Sequence, residues 1–183
     1  SLYLRPFMFA NESFLGVRAA HQVTYSVIAS PVGPYFAGGV KPVNIWVTDA
    51  YSRAGKGGTG AAKCGGNYAS SLAGQLEGIS HGCDQAVFLD SSTHTYIEEL
   101  GGMNLFFVYA DGRVVTPELT GTILPGVTRS SLIDLLREHA IPCDSFQLSS
   151  GYTTIGSRRY VFTWNRDKFP QPTETTGHFS ETG

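Results

Sequence analysis

The chain has 183 residues, of which 42% are hydrophobic and only 15% charged, where an ordinary soluble domain carries about 25% Asp, Glu, Lys and Arg. Thirteen basic against fifteen acidic residues leave a net charge of −2 with no cationic run, which removes the electrostatic basis for a nucleic-acid binder or for attachment to an anionic membrane. No apolar stretch approaches the ~20 residues of a membrane span and no basic segment with an apolar signal core opens the chain, so a soluble, cytoplasmic protein is expected, with Cys64, Cys83 and Cys143 as reduced thiols.

In chain order, Tyr3, Arg5, Phe7 and Phe9 alternate with Leu2, Leu4 and Met8. This is the period of a strand, apolar on both faces as in a covered sheet, with Pro6 arguing for an edge or bulge. Residues 21–30 form a second strand, closed by the turn cluster 31–39. Residues 43–51 form a third, followed by the glycine loop 55–60. A helix is predicted from Asn67, which caps it, with Tyr68, Leu72, Leu76 and Ile79 as its apolar stripe and Gly82 near its end. Residues 85–90 read as a buried strand. Short strands follow, with a reversal at Gly101-Gly102 and a hairpin turn at Asp111-Gly112. A second helix over 129–140 takes Thr128 as N-cap, shows Leu132, Ile133, Leu135 and Leu136 on its apolar face, and stops at Pro142. Beyond it, residues 143–183 hold 12 Ser or Thr among 41 residues without sustained periodicity. Strands outnumber helices, so the class is α+β or mixed α/β.

Several of these segments carry chemistry. The loop Gly55 to Gly60 satisfies GxGxxG between a strand and a helix, but Gly65-Gly66 interrupts where a phosphate-facing helix should already run, and Asp90 lies too far on for a ribose ligand. Lys63, one of only four lysines, sits among small uncharged neighbours, a setting in which a desolvated amine becomes a nucleophile towards carbonyls; the plainer reading is a loop lysine reaching water. Glu98 and Glu99 adjoin at the end of a strand, where alternation points one carboxylate inward and the other to solvent. The inward one needs a cation or an N–H, and a protonated heterocyclic nitrogen would serve. Gly126-Val127-Thr128 offers free N–H groups and the positive end of a helix dipole to a phosphate. Arg5, flanked by aromatics, suits a carboxylate or a structural ion pair. The histidines show no ligand spacing, and no metal site is read.

Taken together, the segments YLRPF (3–7), GPYF (33–36), GGTGAAKCGGNYASSL (57–72), YIEELGGMNLFFV (96–108) and GTILPGVTRSSLIDL (121–135) resemble the branched-chain amino acid aminotransferases, fold type IV pyridoxal-phosphate enzymes, from Ser1 to about Pro142. The resemblance implies the end of a small N-terminal domain over 1–33, an interdomain loop over 34–42, and a large, incomplete cofactor-binding domain over 43–142 of the D-amino acid aminotransferase-like type. The divergent tail 143–183 matches nothing the resemblance places there. Pyridoxal 5'-phosphate is the implied cofactor. Lys63 would form the Schiff base and shuttle the substrate proton, Tyr68 would meet the phenolic oxygen and Glu99 the ring nitrogen, while Val127 and Thr128 would hold the phosphate. Tyr3, Arg5 and Tyr35 would belong to the substrate pocket. The implied reaction is ping-pong transfer of the amino group of leucine, isoleucine or valine to 2-oxoglutarate, in a homodimer. D-amino acid aminotransferase and aminodeoxychorismate lyase share the fold, but the EELGGMN and YLRP forms favour the branched-chain branch. A dinucleotide binder using the glycine loop, or a non-catalytic fragment, are the readings outside it.

Overall fold

The structure, a computed structural model, describes residues 1–34, 42–149 and 159–162. Tyr35 and most of the tail lie outside the described residues. The chain divides into two compact units, Ser1–Lys41 and Pro42–Gly183.

In the first unit, β1 (Leu2–Ala10) and β2 (Val23–Pro31) form one antiparallel ribbon with unbroken register, Pro6 opposite Val27. With two strands every position is an edge, which is where a proline costs no ladder hydrogen bond. The connecting loop is held by Glu12, which accepts from the His21 N–H at 3.0 Å and pairs with Arg18 at 3.0 Å. The alternation predicts a covered sheet, and in this chain by itself Leu4, Met8, Tyr25 and Ile28 are exposed.

The second unit is built on a parallel βαβ crossover, β3 (Val43–Thr48), α1 (Gly65–Ser80) and β4 (Gln85–Leu89). Both strands are apolar on both faces, as a sheet covered on both sides requires. Ile45, Val47, Val87 and Leu89 pack with Leu100 into the core on one face. Trp46, Thr48, Ala86 and Phe88 lie beneath α1 on the other. The helix does not use its apolar stripe for this contact. Its buried residues are Asn67, Ser71, Gly74 and Gly78, while Leu72 and Leu76 are 62% and 65% exposed. The large Phe88 and Trp46 side chains leave room only for small ones: a Cβ on Gly74 would sit 2.7 Å from the Phe88 ring. Trp46 then donates its indole N–H to Glu77 at 2.9 Å and stacks on His81.

Antiparallel β5 (Tyr96–Leu100) continues the sheet, β9 (Leu148–Ser149) adds to its far edge, and β10 (Arg159–Phe162) lies outside β3, giving the order β10-β3-β4-β5-β9. The turn into β5 is organised by Asp90, whose carboxylate accepts from the N–H groups of Ser92, Thr93, Thr95 and Tyr96. Burial pushes this carboxyl up, but those bonds outweigh it and hold it well below the usual range. A second sheet joins β6 (Phe107–Val108) and β7 (Val114–Pro117) by the Asp111-Gly112 hairpin, with Gly112 at φ +84°. It then runs through α2 (Val127–Glu138) to β8 (Cys143–Phe146), parallel to β7. Thus the start of the tail, which lacks any periodicity of its own, is ordered by ladders to neighbouring strands. Arg129 is the buried residue of α2; it donates to the Pro117 carbonyl and the Ser145 hydroxyl, each at 3.0 Å, tying the helix to both strands.

Both predicted caps shift. α1 is entered through Cys64 and α2 through Gly126, neither with a side-chain cap bond. Asn67 and Thr128 fall in the first turns. Among the described residues no helix is long and apolar enough to cross a membrane, and no cluster of three His, Cys, Asp or Glu could hold a metal ion.

Candidate active site

Three segments of the second unit converge: the loop between β3 and α1, the end of β5, and the stretch from Thr122 into α2. The first carries Lys63. Its amine donates to the Tyr68 hydroxyl at 2.8 Å and lies 5.5 Å from that ring's centroid. Lys63 is exposed, contrary to the desolvated setting its small neighbours suggested, because glycines and alanines give a loop side chain nothing to hide behind. Its position is fixed instead from below. Asn67 turns its side chain back onto the loop, donating to the Thr59 and Ala62 carbonyls at 2.7 and 3.0 Å and accepting from the Thr59 hydroxyl at 2.7 Å. All three hydrogen bonds of that amide are therefore spent on holding the segment just before Lys63.

The second segment carries Glu98 and Glu99. Simple alternation would have sent one of them to water, yet they are 6% and 2% exposed. The register explains why. Val87 faces Leu100 and Leu89 faces Ile97, so two residues of β5 stand opposite the single Phe88 of β4. That is a bulge at the two glutamates, and it breaks the alternation. Glu99 meets Arg53 at 2.9 Å, with both side chains almost wholly buried. It also accepts from the Leu124 N–H at 2.8 Å and from Asn104 at 3.3 Å. Burial pushes its carboxyl up to about 7, more than the Leu124 N–H and the Arg53 charge pull it down; the Glu98 charge adds to the rise and the Lys63 charge opposes it. Glu98 meets hydroxyls: those of Thr122 and Thr120 donate to it. Burial raises its pKa too, against the Thr122 bond.

The third segment joins the others. The Thr122 carbonyl accepts from Arg53 at 2.9 Å and Asn104 donates to the Leu124 carbonyl at 2.9 Å. Gly60 closes against it: a Cβ there would lie 2.3 Å from the Thr122 oxygen, so only glycine lets the lysine loop approach. The glycine loop thus packs on Thr122 and α1 starts only at Gly65, an arrangement unlike a dinucleotide cradle. The Ser130 N–H is the first to bond back, to the Gly126 carbonyl at 3.0 Å. The N–H groups of Val127 and Thr128 therefore stand at the helix entrance, with Val127 83% exposed.

The fold accordingly brings Lys63, Tyr68, Glu99 and the Val127-Thr128 turn into one region. Tyr3 and Arg5 belong to the first unit, where Arg5 donates to the Tyr3 hydroxyl at 2.9 Å. Arg53, Asn104 and Thr122 escape sequence reading. The signal for Arg53 was available in the requirement that an inward carboxylate have a cationic partner, but nothing local says which arginine.

The second unit thus sets a lysine amine on a tyrosine hydroxyl and, in the same region, a buried carboxyl whose proton affinity burial raises. The chain belongs to the amino-transferase class IV family, whose model matches residues 1–151. Within that family it is similar to proteins named branched-chain-amino-acid aminotransferase. One, from Mycolicibacterium smegmatis, is 52% identical over 161 residues, covering 82% of this chain and 44% of the relative. Another, from Mycobacterium tuberculosis, is 55% identical over 157 residues, covering 80% and 43%. Among solved structures, the Escherichia coli branched-chain amino acid aminotransferase superposes with TM-score 0.70 at 34% identity, covering 81% of this chain and 49% of that one. The branched-chain aminotransferase from Thermoproteus uzoniensis with norvaline does so with TM-score 0.69 at 28% identity and the same coverage. The fold is therefore the mixed α+β architecture of fold type IV. The chain spans somewhat under half the length of the relatives it matches. Residues 128–183 also match the model of the glycosyl hydrolases family 31 TIM-barrel domain. The two matches overlap over residues 128–151, which take in most of α2 with β8 and β9.

Proposed function

We propose that this chain carries the lysine half of a pyridoxal-5'-phosphate site of a branched-chain aminotransferase, the whole enzyme moving the amino group of leucine, isoleucine or valine to 2-oxoglutarate. The observation that carries the reading is the Lys63–Tyr68 contact of 2.8 Å in the same site as a carboxyl held near pH 7. The donor set suits this cofactor: an amine and a phenol side by side match its carbonyl and ring hydroxyl, and a buried acid matches its pyridine nitrogen. When bound, pyridoxal phosphate supplies a carbonyl for the amino group and a ring that accepts the electron pair of the substrate's Cα–H bond.

The residues of this chain do the rest. The Lys63 amine would hold the carbonyl end of the cofactor and would carry the proton lost and regained at the substrate Cα. Tyr68 orients the ring through its hydroxyl. Glu99 would face the ring nitrogen and share its proton, while the Arg53 charge opposes the rise that burial imposes on the Glu99 carboxyl. The Val127 and Thr128 N–H groups, with the threonine hydroxyl, receive the phosphate at the positive end of α2. Tyr3, Arg5 and Tyr35 serve the substrate, Arg5 by a bidentate contact with the distal carboxylate of glutamate. The working protein is a cytoplasmic homodimer.

The test is reconstitution of the purified chain with pyridoxal phosphate, followed by its visible absorption. A saturable band that Lys63→Ala abolishes is expected, along with transamination between leucine and 2-oxoglutarate in the full-length enzyme carrying this segment. A chain that takes up no cofactor, or a band untouched by Lys63→Ala, refutes the site.

A further inference from the structure

We propose that Glu98 is a positioning residue for Glu99, acting through Thr122 and Arg53. The two carboxylates are neighbours in sequence and make no hydrogen bond to each other. They are linked through the Thr122 segment. The Thr122 hydroxyl donates to Glu98, the Thr122 carbonyl accepts from Arg53 Nη1 at 2.9 Å, and the same nitrogen meets Glu99 Oε1 at 2.9 Å. Glu98 therefore fixes one end of a residue whose other end fixes the cation. Glu98, Arg53 and Thr122 are each at most 6% exposed, so none is restrained by water instead. A second hydroxyl reinforces the anchor, since Thr120 lies 2.8 Å from that of Thr122 and also donates to Glu98. Among the described residues no ion pair involves Glu98. The charged and titratable groups around the two carboxylates are Asp90, Tyr96, Lys56 and Glu118, which line a shared cavity with Glu98, and Arg53 and Lys63, which act on Glu99.

Glu98 therefore bears on Glu99 in two opposed ways. Its charge raises the proton affinity of Glu99, while its grip on Thr122 keeps Arg53 in place and lowers it. Glutamine at 98 removes the charge and keeps an acceptor for Thr122; alanine removes both. The positioning role deepens the proposed function, since Glu99 is the acid assigned there to the cofactor nitrogen, yet it is tested on the chain without cofactor.

The experiment is carbon-13 NMR titration of the full chain labelled at the glutamate carboxyls, with the Glu99 signal assigned by its loss in Glu99→Gln. Glu98→Gln should lower the Glu99 midpoint. Glu98→Ala should leave it about one pH unit above that of Glu98→Gln, because Arg53 is released. Thr122→Val, which keeps the Glu98 charge and cuts the link, should raise the midpoint above the parent's, and Thr122→Ser should restore it. Equal midpoints for the Gln and Ala variants, or a Thr122→Val midpoint equal to the parent's in a chain of unchanged circular dichroism, overturn the proposal. Should Glu98→Ala fail to fold, the Thr122 pair decides alone. Midpoints that move as stated in a chain that binds no pyridoxal phosphate leave this linkage standing and remove the cofactor reading.

Discussion

Glu98 and Glu99 are consecutive, equally hidden, and held in opposite manners. Glu99 is met by a full positive charge and a backbone N–H, Glu98 by threonine hydroxyls. Both carboxyls nevertheless rise, Glu99 to about 7, so desolvation outweighs even a guanidinium at 2.9 Å. A buried ion pair of this kind adds little net stability. Its contribution is a carboxyl fixed in place with a proton affinity close to that of a heterocyclic nitrogen.

The sharpest way to break the contrast is to remove the cation. Arg53→Met should cost about 3–5 kcal/mol in denaturant unfolding at neutral pH, because it leaves Glu99 buried without its charge partner. Adding Glu99→Leu should recover much of that loss; a double variant no more stable than Arg53→Met would contradict the account. Gly60→Ala acts on the residue shared by both carboxylates. Its Cβ would lie 2.3 Å from the Thr122 oxygen, and displacing that backbone should cost about 1–3 kcal/mol, seen as a lower melting temperature. Thr122→Val removes the hydroxyl bonded to Glu98 and keeps the carbonyl that receives Arg53, leaving a carboxylate short of one hydroxyl for about 1–2 kcal/mol; a loss equal to that of Arg53→Met would erase the distinction. The remaining test is pH. Both acids bind protons more tightly folded than unfolded, so stability should fall as pH rises from about 4.5 through about 7 and level off above. Glu99→Gln should flatten that slope, and urea melts at several pH values would measure it.

Much of this arrangement is legible in the sequence where the cause is local. The Asp111-Gly112 turn, the Gly82 stop after α1 and the strands read over 43–51 and 85–90, observed at 43–48 and 85–89, follow from turn chemistry and short apolar runs. The grouping of Lys63, Tyr68 and Glu99 as one cofactor site is read from motifs matched in order and belongs to the proposed function. What fails depends on partners distant in sequence. The face α1 turns to the sheet is decided by the bulk of Phe88 and Trp46 beneath it, so the small residues go in and Leu72 and Leu76 stay out. The burial of both glutamates is decided by a bulge, a property of pairing with β4 that no single strand displays. Arg53 finds Glu99 across 46 positions of chain. The amino-transferase model runs past Pro142 to residue 151, and a second family model matches 128–183.

Asn67 has a kinetic consequence. Because its amide belongs to the first turn of α1 and grips the carbonyls of Thr59 and Ala62, the loop cannot lift unless that turn lets go, and the turn cannot fray without dragging the loop. Deuterium should therefore enter the amides of 62–69 in a single opening event, and the Lys63 backbone should be as slow to move as the helix to which it is latched.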